Sequence, residues 1–167
     1  MGFLSAMLGG KRERVALVPL YRAIVDEARR SAWFLEAEVP DTIDGRFDVL
    51  ALVLSLVLLR LEREGEVAER ASVLLTEVFI DDMDGTMREI GHGDLVVGKR
   101  VGGIMGALGG RLGAYRSGDR RAALVRNLFR DAPPSDAAVD RAVAMSMALE
   151  TRITGVALDR LLAGALA

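Results

Sequence analysis

The chain has 167 residues, 51% of them hydrophobic and only 5% aromatic, with 22 basic against 24 acidic side chains for a formal charge of −2. That length suits one domain with an aliphatic core and is too short for two ordinary ones. No cysteine is present, which excludes a disulfide scaffold, thiolate metal ligands and a cysteine nucleophile, and the near-neutral charge lacks the basic excess that nucleic-acid specificity would need.

The first residues place Phe3, Leu4, Met7 and Leu8 ahead of Lys11, Arg12 and Arg14. A secretory leader carries its cations first, so this order does not read as one. It suits equally a terminal segment, residues 1–16, able to lie on a lipid surface and a simple frayed end, followed by one helical domain over 17–167. Leu20, Ile24, Ala28 and Ala32 step by four and predict a helix from Pro19 to Arg30, with Pro19 in the first turn, where its missing N–H costs nothing. Trp33 and Phe34 follow as a large apolar pair. A loop rich in turn formers, Val39 to Asp48, then leads into a long helix ending near Glu64. Between Val49 and Leu59 that helix is apolar on every face except at Ser55, the pattern of a helix at the middle of a bundle. The run spans ~16 Å against ~30 Å of bilayer hydrocarbon, so it does not cross a membrane. A cytoplasmic protein, peripheral to the membrane at most, is expected.

The third helix runs from Glu66 to about Ile90, with Leu74, Leu75, Val78, Phe79, Met83 and Met87 along one side. The turn Gly91 to Asp94 ends it, and Asp94 is placed to cap a fourth helix from Leu95 to Arg116. Asp119 to Arg130 forms a shorter helix, and Pro133-Pro134-Ser135-Asp136 opens the last helical stretch. Strand-like alternation fails throughout. The expectation is an all-α, single-domain bundle of six to seven helices around a central apolar helix.

Candidates for chemistry are few. Asp81, Asp82 and Asp84 suggest a cation site, but setting Gly85 at position six of a calcium loop puts Ile80 at one and Gly91 at twelve, so the loop fails twice. An aspartate pair holding magnesium for diphosphate chemistry would need a second acidic cluster, which is lacking. A solvated helix face with an Asp84–Arg88 pair is the simpler reading. His92, the only histidine, has no nucleophile or second histidine to work with. No catalytic residue, cofactor or metal is therefore expected. A metal-dependent helical enzyme of isoprenoid type stays open as an alternative, as does a peripheral-membrane helical module without a client.

Gly98, Gly102, Gly106 and Gly110 recur every four residues of the fourth helix, with Gly103, Gly109 and Gly113 beside them. Each helical glycine costs ~0.5–1 kcal/mol relative to alanine, so something must compensate. The spacing strips one face and admits another backbone closely. That backbone is either the chain's own central helix, the simpler reading, or an apolar helix from another protein.

The strings LYRAIVDEAR (Leu20 to Arg29), VPDTIDGRFDVLAL (Val39 to Leu52), VFIDDMDGTMREIGHGDLVVGKRV (Val78 to Val101) and GRLGAY (Gly110 to Tyr115) occur in that order. Together they resemble the ubiquinol–cytochrome c chaperone family over Leu20 to Tyr115, and the tail after Arg116 adds nothing to the likeness. The resemblance implies an all-helical assembly factor rather than an enzyme. Its client would be newly synthesised cytochrome b on the way into ubiquinol–cytochrome c reductase. The ribosome or a second assembly factor would be a further partner. The site of work would be the inner-membrane surface, on the matrix side in mitochondrial relatives.

Matched by motif, the family positions are Asp41, Asp44, Gly45, Arg46, Phe47 and Asp48, then Asp82, Met83, Asp84, Arg88, Glu89, Gly91, Gly93, Asp94, Gly98 and Lys99, then Arg111 and Tyr115. Asp44, Asp48 and Asp94 are expected to cap helices, and Arg46 and Arg111 to pair with acids between helices. The family pattern carries an aromatic just before the Gly-Arg of the fourth helix, where this chain has Leu108-Gly109. A client-binding groove is expected, walled by Phe79, Met83, Met87 and the face of Gly98, Gly102, Gly106 and Gly110, methionine being an adaptable apolar wall.

Overall fold

The computed structural model describes residues 12–89 and 94–167, and for residues 87–89 and 94–101 the backbone alone. A helical run at 12–16 leads into α1 (Val18–Ala28), α2 (Ala32–Leu35), α3 (Ile43–Glu62), α4 (Glu66–Glu89), α5 (Asp94–Arg116), α6 (Arg120–Asn127), α7 (Asp136–Gly155) and α8 (Leu158–Leu162). No strand occurs among the described residues, and the all-α bundle is as expected. Eight labelled helices replace the expected six to seven because two are very short. One is the single turn α2, which seats Trp33 at 1% exposure with its indole N–H donating to the Glu27 carbonyl at 3.2 Å. The other is α8, which buries Leu161.

The start of α3 corrects the sequence reading. The stretch expected as a loop up to Asp48 is already helical from Ile43, and the cap is Thr42, not Asp44 or Asp48. Thr42 is extended, and its hydroxyl accepts the Gly45 N–H at 3.0 Å, satisfying one of the amides left over at a helix start. Gly45 is needed there because a Cβ would sit 1.9 Å from the Pro40 carbonyl oxygen. From Val49 to Leu59 every residue but Leu50 is buried, and the helix packs against α1, α4, α5 and α7. Ser55, the polar break in this run, donates to the Ala51 carbonyl one turn back at 2.6 Å, so its burial leaves no orphan.

Side-chain caps also set α6 and α7: Asp119 accepts the Ala122 N–H and Ser135 the Ala138 N–H, each at 3.0 Å. α6 ends at Asn127, short of the expected Arg130, and Arg130 and Asp131 take left-handed φ values of 52° and 61°. The expected cap at Asp94 lies outside the described side chains. No helix among the described residues is long and apolar enough to cross a membrane.

The larger side chains of α5 turn inward at helical spacing, with Leu108 and Tyr115 buried and Ile104, Arg111 and Leu112 partly so. Gly102, Gly103, Gly106, Gly109, Gly110 and Gly113 are exposed on the rest of the surface, and a Cβ on any of them would meet nothing within 4 Å. The expected close contact with the central helix is therefore overturned. α5 reaches α3 through its bulky residues, which leaves the stripped face pointing outward.

Candidate functional site: a cleft between the two motif blocks

A cavity of about 590 Å³ opens between α1, α3 and α4. Val25, Ala28 and Arg29 line it from α1, Ile43, Asp44, Arg46, Phe47 and Leu50 from α3, and Asp82, Met83 and Thr86 from α4. Phe34, Ile104 and Arg130 complete its wall. The first and second motif blocks, far apart in sequence, thus face one another across one cleft. Its lip is apolar too: Ile43 is 83% exposed.

Phe79 is wholly buried, so it lies behind the wall and not on it. Its ring centroid is 6.4 Å from that of Phe47 and 6.5 Å from that of Tyr21, which fixes Phe47 at the cleft floor. Met83, half-buried, does line the cleft. The glycine face does not: α5 turns Ile104 toward the cavity and Gly102, Gly106 and Gly110 outward. The single groove read from the sequence is in fact two surfaces on different sides of α5. The side chains of Met87, Arg88, Glu89, Asp94 and Lys99, together with Gly91, Gly93 and Gly98, lie outside the described residues.

A charged cluster braces one wall. Asp48 is 1% exposed, and its carboxylate accepts from Arg111 Nη2 at 2.5 Å and Arg130 Nε at 2.7 Å. Arg130 Nη1 also donates to Asp44 at 2.9 Å, and the Arg111 guanidinium stands 5.5 Å over the Phe47 ring. The hydrogen bond to Asp48 raises the Arg130 pKa above its ordinary value. One buried carboxylate thereby joins α3, α5 and the α6–α7 connection. The expectation of an interhelical pair holds for Arg111. Arg46 instead makes a local two-toothed pair with Asp41, Nε to Oδ1 at 2.6 Å and Nη2 to Oδ2 at 3.2 Å, and lies 5.6 Å over Phe34.

On the opposite wall the Tyr21 hydroxyl donates to Asp82 at 2.7 Å, and burial followed by this bond raises the Tyr21 pKa. Tyr115, 4% exposed with Arg120 stacked over its ring, is also raised, chiefly by burial. Asp81 turns to a different partner, Arg14, at 2.6 Å. Among the described residues no group of three or more acids or histidines is placed to hold a metal ion.

Sequence reasoning missed Arg130, Tyr21 and Arg29. Arg130 had no signal, since it follows a helix end in a stretch without motif. Tyr21 and Arg29 lie inside the LYRAIVDEAR string, but nothing in a one-dimensional pattern says that α1 runs beside the later half of α4.

Fold and cleft together define an all-α bundle built around a part-apolar, part-charged cleft. The chain belongs to the ubiquinol–cytochrome c chaperone family, whose model, described as ubiquinol-cytochrome C chaperone, matches residues 35–167. It is also similar to the crystal structure of the Cbp3 homolog from Brucella abortus, at 27% identity and a TM-score of 0.77, over 98% of this chain and 94% of that one. No curated protein matches the sequence. The family match runs past Tyr115 to the last residue, so the tail that added nothing to the sequence likeness, Arg130 included, is part of the family domain.

Proposed function

We propose that this protein is an assembly chaperone for newly made cytochrome b, and that it holds an apolar segment of that client in the cleft between α1, α3 and α4. Family membership supports the chaperone role, and the Cbp3 homolog points the same way. The observation that carries the choice of surface is the meeting of both motif blocks on one cavity of about 590 Å³, a size suited to a short run of side chains from a bound segment. Phe47, Leu50, Met83 and Ile104 offer apolar contact there, and the paired arginines at the edge keep the wall in place. The exposed glycine face of α5 is a second contact in this reading, one along which a helix backbone approaches closely. The protein acts without catalysis or cofactor at the inner-membrane surface, where its client is made, with the ribosome or a second assembly factor as neighbour.

The test is brief crosslinking in cells, pull-down of the tagged protein, and blotting for cytochrome b and for an unrelated membrane protein of similar abundance. Enrichment of cytochrome b alone, lost in Ile43→Asp or Met83→Asp, is the expected result. Equal recovery of both membrane proteins, or of neither, would sink the client assignment. Selective recovery that neither variant weakens would move the site away from the cleft.

A further inference from the structure

Five charged side chains line the cleft, and four of them already have partners within the chain. Arg130 is held by Asp44 and Asp48, Arg46 by Asp41, and Asp82 takes the Tyr21 hydroxyl. Arg29 differs. It closes the C-terminal end of α1 through its backbone N–H and lines the cavity, and among the described residues its side chain makes no hydrogen bond or ion pair, its charge reaching only the Tyr21 hydroxyl. While the cleft is open, water and the negative end of α1 suffice for it. Arg29 is exposed in the open cleft. Once an apolar segment covers it, that guanidinium gives up water for no hydrogen bond unless it displaces the Tyr21–Asp82 pair, and an uncompensated charge taken out of water is costly.

We infer that Arg29 is the specificity-determining residue of the cleft, and that the segment it accepts is an apolar helix carrying one carboxylate in register with Arg29. This rests on the cleft being the client site. The guanidinium fork suits a carboxylate in two-toothed contact, which adds orientation as well as affinity. The occupant's remaining side chains meet Phe47, Leu50 and Met83, so the acid fixes register along a surface that is otherwise tolerant of sequence. Asp82 is the competitor, because a guanidinium that swung to it on closure would need nothing from the occupant.

The experiment uses the full chain and synthetic leucine/alanine helices of about five turns, one with a single central glutamate and its twin with glutamine, binding being followed by fluorescence anisotropy. The glutamate peptide should bind about tenfold more tightly, as a charge-assisted hydrogen bond allows. Arg29→Gln should erase that difference, and by removing the stranded charge it should tighten the binding of the glutamine peptide. Ile43→Asp, a lip residue at a helix start where an acid is tolerated, should weaken both. Equal binding of the twins to the unaltered protein overturns the inference and leaves the cleft as client site. A preference for glutamate that survives Arg29→Gln assigns the reading to another residue and overturns it as well. Failure of both peptides to bind, or binding indifferent to Ile43→Asp, removes the cleft reading and the inference with it.

Discussion

Replacing Asp48 with asparagine keeps the shape of the side chain and removes its charge, so no cavity effect enters. At 1% exposure Asp48 faces an Arg111 side chain that is 11% exposed and an Arg130 side chain that is 53% exposed. Removing one partner of a buried ion pair costs about 3–5 kcal/mol, because the other charge is left stranded. The share through Arg130 is small, since that group is half in water and keeps Asp44. Arg111 has no such retreat: its remaining contacts are the Ala107 carbonyl at 3.3 Å and the face of Phe47. The expected loss is therefore at the lower end, about 3 kcal/mol. For a chain of 167 residues that is a fall in Tm of roughly 6–12 °C. Urea and thermal unfolding of Asp48→Asn, Arg111→Met and the double variant check it. The double variant should be less destabilised than the sum of the singles, with a coupling of about 1–3 kcal/mol. A loss below about 1 kcal/mol for Asp48→Asn, or strict additivity, would refute the view that one buried carboxylate clamps α5 to α3.

Gly45→Ala should cost about 2 kcal/mol or more, because the new Cβ is driven against the Pro40 carbonyl oxygen at 1.9 Å and the cap at Thr42 must shift to admit it. A neutral result in denaturant unfolding would mean that the Pro40–Gly45 approach is looser than described. Tyr21 and Tyr115, the chain's only two tyrosines, are held protonated by burial at pH values where the unfolded chain begins to ionise. Their folded pKa lies above the unfolded one, so their contribution is fully present below pH ~10 and is lost as the pH climbs past it. Unfolding midpoints should fall on that alkaline limb, less steeply in Tyr21→Phe, while tyrosine absorbance stays unionised until the fold gives way. Ionisation before unfolding would contradict the burial.

The architecture was legible in the sequence where it depended on one helix at a time. The apolar run from Val49 to Leu59 named the central helix, and Asp119 and Pro133-Pro134-Ser135 marked real helix starts. Thr42 was passed over because the five residues after it, Ile43 to Phe47, include a glycine, an aspartate and an aromatic, which together look like a turn. Helix α3 accepts them because Gly45 fits against Pro40 and because the charge of Asp48 is met by residues 63 and 82 positions away. Such long-range partners leave no periodic trace. The groove failed for a related reason. Phe79, Met83 and the glycines share helical spacing, yet which way α5 is rolled decides whether they share a wall, and that roll is set by Leu108, Arg111 and Tyr115 finding α3.

That roll also gives the glycine face its meaning. Six exposed glycines burden α5 by ~3–6 kcal/mol relative to alanine, and no contact within the described chain returns that cost. A purely structural helix would gain by replacing them, since a Cβ at each position enters open space. The variant Gly102→Ala/Gly106→Ala/Gly109→Ala should thus raise stability by ~1.5–3 kcal/mol. If the face receives another helix, the same variant should lower the yield of assembled reductase despite its sturdier fold, and Gly106→Leu should lower it further. Greater stability with undiminished assembly would leave α5 a helix with needless glycines and confine client binding to the cleft. Lower stability would mean that these positions are not open, and the outward roll of α5 would have to be abandoned.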